Sequence, residues 1–104
     1  MSPAETAQLF AAMGDATRLA LIGRLGEGAA SIVRLSDGTA MTRQAVTKHL
    51  HVLEKAGLVQ QQRRGRESLW SLQRQRLDEA RRYLDEVSQQ WDGRLSRLKS
   101  FVED

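Results

Sequence analysis

The stretch MTRQAVTKHLHVLEKAG, residues 41 to 57, reads as one short helix with two incompatible faces. Thr42 suits the N-cap, where its hydroxyl can accept from a free amide of the first turn, and Met41 before the cap can staple onto Val46 at the fourth helical position. The helix is therefore expected to begin at Arg43. Val46, Leu50 and Leu53 recur at helical spacing on one stripe, with Arg43, Gln44, Thr47, Lys48 and His51 on the opposite one. Gly57 follows as the residue that takes up the left-handed backbone after a helix C-terminus. Most surface helices are amphipathic, so a polar face alone says little. Its composition says more: Arg, Gln, Thr and Lys are the side chains that reach base edges and phosphates when a helix lies in the major groove of DNA.

What flanks this helix strengthens the reading. Downstream, Val59-Gln60-Gln61-Gln62 leads to Arg63-Arg64-Gly65-Arg66, and Ser68-Leu69-Trp70-Ser71-Leu72 then alternates polar and apolar at period two. The pattern predicts a β-hairpin over about 58–72, with Gly65 supplying the permissive backbone of an arginine-rich turn. Three arginines around one glycine repel one another unless the tip is solvated or faces an anion. Upstream, Ser31 caps a short segment, Ile32-Val33-Arg34-Leu35, that ends near Asp37-Gly38. Two helices joined by a brief turn are thus expected over about 31–57. With the basic hairpin as a wing, the fold class is mainly α with a small β-hairpin: a winged helix-turn-helix.

The first third supplies the core. Ser2-Pro3-Ala4-Glu5 is a capping box with proline at the first helical position, so a helix starts almost at once. Ala7, Phe10 and Met13, with Leu9, give it an apolar side. Gly14 ends it and Asp15 caps the next helix, on which Leu19, Leu21, Ile22 and Leu25 form a broad apolar face before Gly26 and Gly28 break the pattern. The last third is one helix of about 75–102, on which Leu77, Ala80, Leu84, Val87, Trp91, Leu95, Leu98 and Val102 repeat every three or four residues. At about 1.5 Å per residue it spans on the order of 40 Å, more than a compact domain of this size covers by itself. Its far half is expected to pack on another subunit rather than fold back on its own core. Gly93 marks a place where it can bend, at about 1 kcal/mol relative to alanine.

Composition sets the bounds. A chain of 104 residues suffices for one domain, here expected to run over 1–104 with one modest core. Net charge is only +3, from 16 basic and 13 acidic residues, but it is unevenly placed. Between Thr42 and Arg66 the basic residues are Arg43, Lys48, Lys55, Arg63, Arg64 and Arg66, and Glu54 is the single acid, which makes this segment the electropositive footprint. The chain has no cysteine, which excludes a disulfide framework, thiolate metal ligands and a cysteine nucleophile together. No apolar run approaches membrane-spanning length and no signal peptide opens the chain, so a cytoplasmic protein without membrane contact is expected. No acid/base pair, nucleophile with base or phosphate-cradling glycine loop is present, and no enzyme or cofactor is expected.

Assembled, these pieces resemble the arsenical-resistance repressor (ArsR/SmtB) family of winged-helix transcriptional regulators over about Leu9 to Leu72. Gly14-Asp15-Ala16-Thr17-Arg18-Leu19 looks like the family's opening of its second helix, with Ala16 where proline is usual. Thr42 through Leu50, running on through Val52 to Val59, is similar to its recognition helix and strand entry, and Arg64-Gly65-Arg66 sits where its wing turns. The resemblance implies double-stranded DNA as partner, an inverted-repeat operator, and a homodimer joined through the first and last helices. Carried onto this chain, it puts Arg43, Gln44, Thr47 and Lys48 at the groove-facing positions; with the cap Thr42, the exposed His51 and the wing arginines Arg63, Arg64 and Arg66 these are the expected DNA contacts, and Leu9, Phe10, Leu84, Val87, Trp91, Leu95 and Leu98 the expected dimer interface.

The departures from the family bear on its signal. Metal-sensing members carry a cysteine pair in the short third helix or an Asp/His set on the last; the matching segments here are Ser31-Ile32-Val33-Arg34-Leu35 and a final helix without histidine. His49 and His51 stand two apart on one helix, hence on different faces, a poor geometry for shared ligation. No metal site is expected, and a small-molecule effector is left open. The alternative to a DNA-binding repressor is a winged-helix module for protein interaction, since fold does not fix function.

Overall fold

The computed structural model describes residues 1–103. Helices α1 (Pro3–Met13), α2 (Ala16–Leu25), α3 (Ile32–Ser36) and α4 (Arg43–Lys55) precede the strands β1 (Val59–Arg64) and β2 (Glu67–Leu72), and α5 (Arg74–Glu103) follows. The first four helices each start at a side-chain cap. Ser2 Oγ accepts from the Glu5 amide at 3.1 Å, Asp15 Oδ2 from Arg18 at 3.0 Å, Ser31 Oγ from Arg34 at 3.3 Å and Thr42 Oγ1 from Ala45 at 3.1 Å. Each cap satisfies a donor the helix cannot, at about 1 kcal/mol apiece. Glu5 completes the box at Ser2, and its bonds to the Ser2 side chain and backbone, with the nearby Arg76, hold its carboxyl below the usual carboxylate range.

The strands pair antiparallel from Val59 opposite Leu72 to Arg64 opposite Glu67, leaving Gly65 and Arg66 as a two-residue turn. Gly65 has φ +62° while Arg66 keeps a negative φ, the pattern of a type II′ turn, which matches the twist of the strands it joins. Ala30 pairs with Trp70 on the outer side of β2, each backbone N–H donating to the other's carbonyl at 3.0 and 2.9 Å. A single bridging residue has no periodicity, so sequence pattern did not reveal it.

One cluster of buried residues gathers Leu9 from α1, Leu21 and Leu25 from α2, Leu35 from α3, Val46, Leu50 and Leu53 from α4, and Leu58 and Trp70 from the hairpin. Helix α4 touches α1, α2, α3 and β1, so the apolar stripe of residues 41–57 is the hub of the fold. Met41 packs against the same cluster. Among the described residues no polar or charged side chain is buried.

Several expectations need correction. Leu9 is fully buried in its own protomer's core and cannot be a dimer-interface residue; Phe10, one step round the helix, is partly buried against the same core. On α1 the buried alanine is Ala12 and not Ala7, and on α2 Leu19 is half exposed, because docking selects a narrower stripe than the apolar residues alone define. Helix α5 runs without interruption through Gly93. In α5, Leu77 and Ala80 join the core, and from Arg81 to Glu103 every residue is exposed. Its 30 residues reach about 45 Å, and they give the protomer extents of 68 × 27 × 23 Å. None of the described helices is long and apolar enough to cross a membrane.

Candidate nucleic-acid interface

The buried stripe of α4 fixes what the rest of that helix presents. With Val46, Leu50 and Leu53 locked inward, Arg43, Gln44, Thr47 and Lys48 come together on the outer side as one continuous shallow surface. Arg43, Gln44 and Lys48 are exposed, and among the described residues neither Arg43 nor Lys48 forms an ion pair. Cationic heads held by a rigid helix and uncommitted within the protein suit phosphate oxygens and guanine edges. Both threonines at the start of this face are already engaged. Thr42 Oγ1 accepts the cap bond, and Thr47 Oγ1 donates to the Arg43 carbonyl at 2.8 Å, which turns the Thr47 hydroxyl into the helix.

His51 lies two turns beyond Arg43 and differs from the rest. Its Nδ1 is 3.2 Å from Glu54 Oε1, and its ring stands edge-on to Trp70 with centroids 5.6 Å apart. It thus braces the helix against the hairpin. The wing arginines Arg63, Arg64 and Arg66 are all exposed at the hairpin end. Arg64 is the cross-strand partner of Glu67, yet among the described residues none of the three closes an ion pair.

Two arginines of α2 position this surface, and the sequence reading missed their role. Arg18 Nε donates to the Ala12 carbonyl at 2.6 Å at the end of α1, and its Nη1 lies 3.3 Å from His49 Nδ1 on α4. Asp15 stands 3.8 Å from the same ring nitrogen. The Arg18 amide, then the Arg18 charge, hold the Asp15 carboxyl below its usual range. Arg24 donates to the Leu35 and Arg34 carbonyls at 2.6 and 2.7 Å, closing the C-terminal end of α3. Cations at helix C-termini satisfy carbonyls that lack intrahelical partners and complement the helix dipole. In this way α2 clamps α1, α3 and, through His49, α4 itself. These bonds join residues far apart in the chain, and no local spacing signals them.

The short α3, the turn to Thr42, the exposed face of α4 and the basic hairpin constitute a winged helix-turn-helix, the DNA-reading architecture of many transcriptional regulators. A helix-turn-helix domain family model matches residues 13–62. The chain is 35% identical to an ArsR-like transcriptional regulator from Rhodococcus sp. RHA1, with a TM-score of 0.84 over 94% of this chain and 92% of that one. It is 38% identical over 65 residues to the HTH-type transcriptional regulator YuzN of Bacillus subtilis strain 168, covering 56% of this chain and 71% of the relative. A homodimeric winged helix-turn-helix DNA-binding domain from Mycobacterium bovis shares the fold at 21% identity and a TM-score of 0.65, over 88% of this chain and 82% of that one. The chain belongs to the ArsR family of transcriptional regulators.

Proposed function

We propose that the protein is a homodimeric repressor that binds an inverted-repeat operator, inserting α4 of each protomer into successive major grooves and laying the wing along the flanking backbone. The observation that carries this reading is the continuous surface of Arg43, Gln44, Thr47 and Lys48, held rigid from behind by the buried side of the same helix. The bare apolar face of α5 and the homodimeric state of the Mycobacterium bovis neighbour support the dimer. Repression by occupancy is the simplest output of a reading head joined to a pairing helix. The exposed polar groups of α4 and the hairpin suit binding, which fits a regulator rather than an enzyme.

Two groups of basic residues are assigned different tasks. Arg43, at the helix start, is placed for a bidentate contact to guanine, so Arg43→Ala is expected to relax preference at one base per half-site by about 1–3 kcal/mol. Arg64→Ala is expected to weaken all duplexes alike and to lower the slope of log affinity against log salt by about one unit for each phosphate that is no longer neutralised. Binding to specific and scrambled duplexes at several salt concentrations checks both. A wing variant that changes the preferred sequence while Arg43→Ala does not would reverse the assignment, and salt-independent binding would favour a protein-interaction module.

The effector is not a thiolate-bound metal. The chain lacks cysteine, and its two histidines face different partners, His49 toward Arg18 and Asp15 and His51 toward Glu54 and Trp70. Stoichiometric zinc, nickel or cobalt is expected to leave operator affinity unchanged. Release of DNA during such a titration would overturn the claim and point to a carboxylate site.

A further inference from the structure

The wing carries a cleft on the face turned away from the core. Side chains alternate across a strand pair, so with Gln61 and the buried Trp70 opposite each other on the inner face, Gln62 opposite Leu69 and Gln60 opposite Ser71 fall on the outer one. Leu69 and Ser71, both partly buried, form the floor of the cleft. Ala29 makes one wall, held in place by its neighbour Ala30, which bridges to Trp70 along the free side of β2. Gln62, Arg63 and Arg64 of β1 make the other. The space between them is about 480 Å³, inside the range of about 300–1,000 Å³ in which small-molecule sites fall.

The chemistry of the cleft is one-sided: Arg63 and Arg64 bring two cations, and no acid lines it. Among the described residues the Gln62 amide, the Ser71 hydroxyl and both guanidinium groups form no side-chain hydrogen bond or ion pair within the chain. Leu69 sets an apolar surface among these unpartnered groups. A phosphate of the DNA backbone leaves that surface bare, whereas a short hydrocarbon body covers it, and apolar lining with a few convergent polar groups is the make-up of a small-molecule site. We propose that this cleft binds a small organic anion, a carboxylate on a short aliphatic or aromatic body, and that its occupation releases the operator. A guanidinium fork takes a carboxylate through two parallel hydrogen bonds, and the body of the ligand lies on Leu69. Arg63 and Arg64 are the same cations assigned above to the DNA backbone, so ligand and operator compete for them. The proposal rests on the operator-binding reading and supplies it with a signal.

Titration of the isotope-labelled protein with benzoate, butyrate, inorganic phosphate and neutral benzyl alcohol, followed by backbone amide chemical shifts, tests the site without DNA. Benzoate and butyrate are expected to give saturable shifts centred on Ala29, Gln62, Leu69 and Ser71, phosphate much weaker ones and benzyl alcohol none. Benzoate at about ten times its dissociation constant leaves about a tenth of the wings open, so operator affinity is expected to fall about tenfold for each wing the complex requires. Leu69→Ala and Ser71→Ala change side chains outside the DNA-reading surface. Each is expected to bind the operator as before and to lose most of the benzoate response, and either suffices if the other fails to fold. Phosphate shifts as large as those of benzoate, and unchanged in Leu69→Ala, would make the cleft a seat for any anion and overturn the proposal. So would the lack of saturable shifts at the cleft, or benzoate that binds there while operator affinity stays the same. Protein that takes benzoate but no duplex would instead overturn the operator-binding reading.

Discussion

Replacing Trp91 and Leu95 together by glutamate is expected to yield a folded monomer whose affinity for a two-half-site operator has fallen by about 10²–10⁴-fold, the loss that follows when a second binding event stops being intramolecular. The fold is expected to survive because both side chains are exposed, at 60 and 43%, and neither belongs to the buried cluster. Opposed glutamates on a helix seam would place like charges together as apolar cover is removed, so pairing is weakened twice over. Sedimentation reads the change of mass, far-ultraviolet dichroism the retained helix, and titration of an operator duplex the affinity. Binding to an isolated half-site should change little. A variant that remains dimeric and binds as before would place the subunit interface elsewhere on the molecule.

The largest single loss of stability is expected from Trp70→Ala, at about 3–5 kcal/mol, the range for removing a large aromatic from a packed core. Against a total of about 5–15 kcal/mol for a domain, that leaves little in reserve. Trp70 is the largest fully buried side chain, its backbone bridges to Ala30 in both directions, and its ring takes the edge of His51, so the void would open where β2, the segment before α3 and α4 meet. Trp70→Phe is expected to cost much less. Among the described residues the buried indole N–H of Trp70 has no acceptor, and a donor in that position opposes folding by about 1–3 kcal/mol, so its removal offsets part of the missing volume. Urea midpoints at fixed protein concentration compare the two, because dimer stability depends on concentration. Equal losses would overturn the claim that the bulk of an aromatic ring fills this site.

Local physics was legible in this chain and long-range docking was not. Ser2, Asp15, Ser31 and Thr42 were identifiable as caps because a cap bonds an amide three residues on, within the span that a sequence window covers. The inward stripe of α4 was legible for a similar reason, since only one face of that helix is apolar. On α1 and α2 apolar residues occupy more than one face, so Leu9 and Leu19 were assigned to surfaces that docking reversed. The bridge from Ala30 to Trp70 and the Arg18–His49 contact span 40 and 31 positions of chain and follow from how α2 and the hairpin meet, not from any spacing. As for the site, composition and face together singled out Arg43, Gln44, Thr47 and Lys48. The second commitment of the Thr47 hydroxyl, to a carbonyl of its own helix, emerged only with the backbone in place.

The two tryptophans of the chain sit at opposite extremes of solvent contact, Trp70 at 1% and Trp91 at 60%. They are therefore separate optical reporters already present in the molecule. Emission from Trp70 shifts to longer wavelength when the winged body melts, whereas Trp91 emits as a hydrated indole in a lone protomer and shifts to shorter wavelength when a second helix covers it. With Trp91→Phe, intrinsic fluorescence follows folding alone, and with Trp70→Phe it follows assembly alone. Dilution and denaturant titrations of this pair would separate the assembly constant from the folding constant without any attached dye.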